Sequence, residues 1–241
     1  MDRLKWLFRA WRYRLKLERQ EIRVLLNHLR PGDTAIDVGA HKGGYTYWMR
    51  SRVGKRGRVI AFEPQPVLAQ RLQRLINTSG FKNVTVESQG VSSTSDTLTL
   101  RVPGTRTSPG ASFESGVVQG GQSIAIPVTP LDDYAAAHGI TQLRMIKCDA
   151  EGHELEVFKG AEGVLTRLRP LLLFECEVRH RASGRVDDVF DYLQGLGYQG
   201  QALARQGPLS LDQFDPERHQ ASPDQPDYIN NFVFRPTEAQ G

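Results

Sequence analysis

Between residues 34 and 44 the chain reads Thr-Ala-Ile-Asp-Val-Gly-Ala-His-Lys-Gly-Gly, a short β-branched run that closes in a glycine-rich turn. Helical spacing follows over residues 45 to 52. A strand, a tight turn and a helix in that order point away from helical bundles and antiparallel sandwiches, and toward a βα unit whose next strand runs parallel. The pattern then repeats. Arg58–Phe62 reads as a second strand ending in Glu63-Pro64, and Pro66 suits the first turn of a helix carrying Leu68, Leu72, Leu75 and Ile76. Val84–Glu87, Met145–Cys148 and Leu171–Glu175 supply three more strands, with one helix over about 154 to 168 between the last two. This alternation predicts an α/β fold with a mostly parallel sheet covered on both faces. At 241 residues the chain is long enough for one such domain.

Two regions break the rhythm. Residues 92–128 hold alternating strands over 97–102 and 123–128, read as a β-hairpin insertion; in the segment 104–123, twelve of twenty residues are Gly, Ser, Thr or Pro, which predicts a mobile tip and a substrate lid with Phe113 as its one large apolar contact. Residues 198–236 show little helical period and finish in a strand over 228–234, expected to add an antiparallel edge.

The basic character of the chain is local. Residues 1–30 carry nine Lys/Arg against three Asp/Glu, whereas the remainder holds 22 basic and 24 acidic residues. No basic, aromatic-studded sheet face or zinc-finger spacing occurs elsewhere, so nucleic acid is not the expected partner. The boundaries that follow are 1–31 for a basic amphipathic helix and 32–241 for the main domain. Apolar residues at Leu4, Leu7, Phe8, Trp11 and Leu15, then at Ile22, Leu25, Leu26 and Leu29, give that helix its face. Three readings stand for it: packing across the sheet or against a second subunit in a homo-oligomer, peripheral contact with an anionic membrane through a shared face of Trp6, Phe8, Trp11 and Leu15, and nucleic-acid binding. Arginines interrupt every apolar run near the start, and no run is long enough to cross a bilayer. The expected address is cytoplasmic, with the inner membrane face as the alternative. Cys148 and Cys176 fall in two buried strands and are expected to be reduced thiols.

In an open α/β sheet the ligand lies outside the carboxyl ends of the strands, so the residues just after each strand carry the chemistry. The turn after the first strand lets a ligand approach the backbone and the next helix N-terminus. Glu63, about 20 residues further on, is placed to accept both hydroxyls of an adenosine ribose. A dinucleotide fingerprint would need glycine where His41 stands, which disfavours pyrophosphate and an NAD-linked oxidoreductase. What remains, D-x-G-x-x-x-G-G from Asp37, resembles the first motif of S-adenosylmethionine-dependent methyltransferases.

The likeness sharpens at Lys147-Cys148-Asp149-Ala150-Glu151-Gly152-His153-Glu154, continuing to Gly160-Ala161. This is similar to the K-x-D-x-E-G-x-E-x-x-x-x-x-G-A signature of FkbM-family methyltransferases. Ala61-Phe62-Glu63-Pro64, Pro130-Leu131-Asp132-Asp133 and Asn231-Phe232-Val233-Phe234 agree in order and spacing, so the resemblance covers about residues 33–236. Thr129-Pro130 and Cys148 are small departures from the family pattern. The resemblance implies a Rossmann-like class I methyltransferase fold with a seven-stranded, mostly parallel sheet. It implies S-adenosylmethionine as cofactor and a hydroxyl on a saccharide, glycan or secondary metabolite as acceptor. Asp37, Gly39, Ala40, His41 and Gly43 are expected at the methionine end, Glu63 at the ribose, Gln89, Gly90 and Val91 at the adenine, and Asp149 as a further cofactor contact. Asp149, Glu151, His153 and Glu175 are the candidates for catalysis, with His180 one turn further; the acidic residues would also suit a helix N-terminus. Asp149 and Glu175 could alternatively hold a divalent metal, although two carboxylates are too few to call for one. The other functional class left open is a scaffold that kept the fold and lost turnover.

Overall fold

The computed structural model describes residues 2–104, 107–180 and 185–237. The chain opens with α1 (Asp2–Arg12), a π-helical turn (Tyr13–Leu17) and α2 (Arg19–His28). It continues through β1 (Thr34–Val38), α3 (Gly44–Val53), β2 (Arg58–Phe62), α4 (Pro66–Thr78) and β3 (Val84–Glu87). The insertion contributes β4 (Gly90–Val91), β5 (Asp96–Val102) and β6 (Gln122–Thr129). After α5 (Leu131–Ala137) come β7 (Met145–Cys148), α6 (Glu154–Lys159), α7 (Glu162–Leu168) and β8 (Leu171–Glu175). The last part holds α8 (Val186–Gly195), β9 (Tyr198–Ala204), β10 (Gly207–Ser210), α9 (Pro216–His219) and β11 (Asn231–Pro236).

The main sheet has the order β10-β9-β11-β8-β7-β1-β2-β3. β3, β2, β1, β7 and β8 are parallel; β11 runs antiparallel to both β8 and β9. There are thus eight strands, not seven, because Gly207–Ser210 pairs with β9 as an additional strand. The C-terminal region adds the expected antiparallel edge, made of β11, β9 and β10, with the last strand of the chain on its inner side. The apolar run of β11, Phe232-Val233-Phe234, buried together with Asn231, is the pattern of a strand covered on both faces, and it sits between β8 and β9.

Alternate residues of each strand feed two cores. Ile36, Ile60, Ile146, Leu172 and Phe232 face α5 to α8, while Ala35, Val59, Met145, Leu171 and Val233 face α2, α3 and α4. The N-terminal segment belongs to the second core: Trp6, Ala10, Ile22, Leu25 and Leu29 are fully buried, each large apolar side chain contributing roughly 1.5–3 kcal/mol. The predicted single N-terminal helix is broken by the π turn, and Trp6 separates from the face it was expected to share with Phe8 and Trp11.

The helix expected over 154–168 is also broken, at Gly160-Ala161. A Cβ on Gly160 would lie 2.0 Å from the Ser92 carbonyl oxygen. Just beyond, Asp132 accepts the amides of Gly163 (2.8 Å) and Val164 (2.6 Å), capping α7. Two of the quoted motifs, Leu131-Asp132 and Gly160-Ala161, therefore meet as one structural joint. Both cysteines are buried thiols; Cys176 lies one residue past β8.

Candidate active site

Strand order reverses between β1 and β7, and a cavity of about 1020 Å³ lies at the carboxyl ends of these strands. The turn after β1 is drawn tight by Gly39 and Ala40 amides donating to the Phe62 carbonyl at 3.0 and 2.9 Å. Gly39 has φ +74°, and a Cβ there would stand 1.9 Å from the Asp149 carbonyl oxygen. No other residue fits. Gly39→Ala is expected to cost more than about 1 kcal/mol of stability, read as a lowered urea midpoint, because both the backbone conformation and the contact are violated.

Glu63 is 2% exposed and lines the cavity. One carboxylate oxygen accepts the His41 amide at 2.6 Å and the other the Gln65 amide at 2.8 Å. Burial pushes its pKa up to about 7 against these two bonds. His41 has φ +49°, and burial followed by the charge of Lys42 lowers its imidazole to about 4, so it is neutral at pH 7. Its Nε2 is buried without a hydrogen-bond partner among the described residues.

At the other side of the cavity, Lys147 is an ionisable residue inside an otherwise apolar strand. Its Nζ bonds Asp149 Oδ2 at 3.1 Å and lies 4.9 Å from the Tyr45 ring centroid. Burial opposes its charge, yet Asp149 and Asp37 more than offset that and hold its pKa above the ordinary value. The loop after β7 is held by Glu154, whose Oε1 accepts the amides of Ala150 (3.1 Å) and Gly152 (3.0 Å). Glu151 and Gly152 both take positive φ, and a Cβ on Gly152 would lie 1.9 Å from the His180 carbonyl oxygen. That conformation presents the Glu151 carboxylate to His180 Nδ1 at 3.0 Å. Burial disfavours the imidazolium, but the hydrogen bond and charge of Glu151 hold His180 above its ordinary pKa. Glu175 is raised well above the carboxylate range, by burial first, then by the Asp149 charge and a hydrogen bond shared with Glu177. Burial opposes the charge of Glu177 too, yet bonds from Arg179, Glu175, Tyr228 and Asn230 pull it to about 2.

The cavity brings together Gly39, Ala40, His41, Glu63, Gln89, Gly90, Val91, Asp149, Glu151, Glu175 and His180. Three of the expected residues stand outside its lining. Asp37 is wholly buried beneath it, accepting the Thr46 hydroxyl at 2.6 Å. Gly43 is the N-cap of α3, and its carbonyl accepts the Trp6 indole at 2.7 Å. His153 is buried between Ser92 Oγ (2.9 Å from Nε2) and Glu114 Oε1 (2.8 Å from Nδ1), where it ties the insertion to α6.

The segment expected to form a mobile tip is tied to the site at Ser108, Ser112 and Phe113. Ser108 exchanges two hydrogen bonds with Gln65, and the Ser112 hydroxyl donates to the Glu151 carbonyl at 2.6 Å. Phe113 lines the cavity and lies against Gly90, where a Cβ would approach its ring to 2.8 Å. Residues 105 and 106 of the expected lid lie outside the described residues.

A roof that the sequence reading did not include comes from the N-terminal segment: Leu4, Lys5, Phe8, Arg9, Arg12, Tyr13, Leu17 and Glu18 all line the cavity. Gly44 serves this roof, since a Cβ there would strike the Tyr13 ring at 2.6 Å. For a metal, Glu175, Glu177 and His180 offer ligand atoms within 4.8 Å of one another. Glu177 is already engaged by Arg179, Tyr228 and Asn230, and Asp149 by Lys147, so fixed cations and donors occupy these carboxylates.

A family profile described as the methyltransferase FkbM domain matches residues 37–199. The chain belongs to the FkbM methyltransferase family. Hexuronic acid methyltransferase AglP of Haloferax volcanii is 29% identical over 157 residues, which make up 64% of this chain and 61% of AglP. Among solved structures, methyltransferase FkbM from Methylobacillus flagellatus superposes with a TM-score of 0.55 at 18% identity, covering 97% of this chain and 54% of that one. The matches thus span less than two thirds of either relative's own length. A Streptococcus mutans protein described as a candidate methyltransferase, in complex with S-adenosylhomocysteine, gives 0.51 at 11% identity over 90% of this chain and 96% of its own. At such identities the structural likeness establishes the fold: this FkbM-family chain has the α/β sheet of class I methyltransferases.

Proposed function

We propose that the protein transfers a methyl group from S-adenosylmethionine to a hydroxyl of a carboxylate-bearing saccharide. The observation that carries this is the convergence, on one cavity at the strand-order reversal, of the Gly39 turn, the buried Glu63 carboxylate and the Asp149, Glu151 and Glu175 cluster. The residues suit the cofactor. The Gly39 turn packs against the Asp149 backbone and lines the cavity, Glu63 offers its remaining lone pairs to a ribose diol, and His41 has a buried nitrogen with no partner among the described residues. With the second fingerprint glycine replaced by His41, a pyrophosphate is not accommodated in the same way. A volume of about 1020 Å³ leaves room for an acceptor beside the cofactor.

When bound, the cofactor supplies an electrophilic methyl on a sulfonium sulfur, so the protein must align the acceptor oxygen, exclude water and take up a proton. Glu151 fixes Nδ1 of His180, leaving its Nε2 to accept the hydroxyl proton, and the Glu151 hydrogen bond and charge raise the basicity of that imidazole against the opposing effect of burial. Glu175, whose proton is held on by burial and by the Asp149 charge, can donate to a second acceptor oxygen. Phe113 and the N-terminal roof close the cavity on two sides.

The acceptor's carboxylate is matched by the cationic mouth, where Lys5, Arg9, Arg12 and Lys42 meet. Burial, and then the charges of Arg71 and Arg12, hold Arg9 below its ordinary pKa despite Tyr13, so an anion there would be favoured. The relative named for hexuronic acid supports this class of acceptor. Methyl-labelled S-adenosylmethionine, incubated with the protein and a panel of uronate-bearing and neutral saccharides, tests the reading: label should appear in the uronates. Arg9→Ala is expected to raise KM for a uronate acceptor by about tenfold or more, the loss of one charge-assisted hydrogen bond, and to leave a neutral analogue's KM unchanged. Equal labelling of neutral sugars would remove the carboxylate from the proposal.

A further inference from the structure

The cavity accounts for only part of the outer face of the N-terminal segment, since Leu4 and Phe8 line it and Trp11 and Leu15 do not. Trp6 and Ala10, at 2% and 0% exposure, hold α1 to the body of the protein, yet Leu4 and Phe8 on its other side are 73% and 72% exposed. With Trp11 and Leu15 they repeat at steps of four, three and four residues, one stripe along the surface. Exposed Arg3, Lys5, Arg12, Arg14 and Lys16 flank that stripe. Packing needs only the buried side; an apolar outer face set among cations calls for another environment.

We propose that α1 and the π turn dock on an anionic lipid surface, which sets the cavity mouth at the headgroups and lets the acceptor arrive on a lipid carrier. The carrier part rests on the methyltransferase reading above; the docking does not. Charge complementarity selects this occupant. A second copy meeting the first through a twofold axis would bring two such segments together, each with six basic residues and one acidic residue, at a cost in repulsion. A nucleic acid would satisfy the cations and leave Leu4, Phe8 and Leu15 against phosphates. An anionic bilayer satisfies both, taking the apolar stripe below the headgroups and pairing the cations with them. Continuity with the site adds to this, because Leu4, Phe8 and Leu17 also line the cavity. Among the described residues no helix is long and apolar enough to cross a membrane, so the contact is one of lying on the surface.

The test is flotation of the full chain with phosphatidylcholine vesicles, with and without phosphatidylglycerol and without any cofactor. The protein should float only with the anionic vesicles and less so as salt rises. Phe8→Asp and Leu15→Asp should each weaken flotation about tenfold or more, from the lost burial of one apolar side chain. Leu15 is 59% exposed and does not line the cavity, so Leu15→Asp should keep its unfolding temperature and separates docking from folding. Equal recovery on neutral vesicles, or anionic binding that both variants retain, overturns the proposal. So does a sedimentation shift to a dimer without vesicle binding, which gives the face to a second copy. Because the assay uses no cofactor, failure of methyl transfer would leave its outcome unaffected.

Discussion

Glu63→Ala should weaken S-adenosylhomocysteine binding by on the order of a hundredfold, since two hydroxyl donors lose a charged acceptor worth about 1.5–3 kcal/mol. The companion expectation is in pH. In the free protein burial holds the Glu63 carboxyl at about 7. Two ribose O–H donors favour the ionised form, so binding lowers that pKa and releases a proton. Affinity should therefore be full above about pH 7 and decline as the pH falls through it, by about tenfold per unit until the bound-state pKa is reached. Glu63→Gln keeps the shape and removes the titration, and its affinity should be flat across the same window. Isothermal titration at several pH values reads both effects. A wild-type affinity that rises on acidification would contradict the assignment.

The second large effect is expected at His180. Removing a general base costs on the order of 10²–10⁴ in kcat, and His180→Ala should show that loss while S-adenosylhomocysteine still binds. The wild-type rate should rise with pH as the imidazolium deprotonates, with a midpoint above the ordinary histidine value, because Glu151 holds the proton on. Glu151→Gln removes that charge, so its acidic limb should move to lower pH as kcat falls. A structural role for the pair would change stability without moving the limb. That distinction makes the pH profile, rather than the loss of rate, the informative readout.

The parts of the site that could be read from the chain are those whose chemistry is local to a strand end. The Gly39 turn, Glu63 and the Asp149-Ala150-Glu151-Gly152 loop each follow an apolar strand directly, so topology alone brings them together. The N-terminal roof was not legible in that way. Its placement depends on Trp6 reaching the Gly43 carbonyl and on Tyr13 seating over Gly44, contacts across some 30 residues that helical periodicity does not encode. The same periodicity gave Trp6 and Phe8 one shared face, whereas one is 2% and the other 72% exposed. His153 illustrates the converse. Its position beside the acidic loop made it a candidate, but the insertion supplies Glu114 and Ser92, and the imidazole is held between them. Lys147 did carry a signal, a charged residue inside the apolar strand Met-Ile-Lys-Cys, where burial requires a paired carboxylate. The position of β11 depended on a similar cue: an unbroken apolar run belongs inside a sheet rather than at its edge.

The measurement that bears most directly on the central claim is calorimetric titration of the purified full chain with S-adenosylhomocysteine, with NAD⁺ as the comparison ligand. Saturable micromolar binding of the former, lost in Glu63→Ala, and no heat from the latter are expected. A folded protein that binds NAD⁺, or that gives no heat with S-adenosylhomocysteine whether or not a uronate acceptor is present, would contradict that claim.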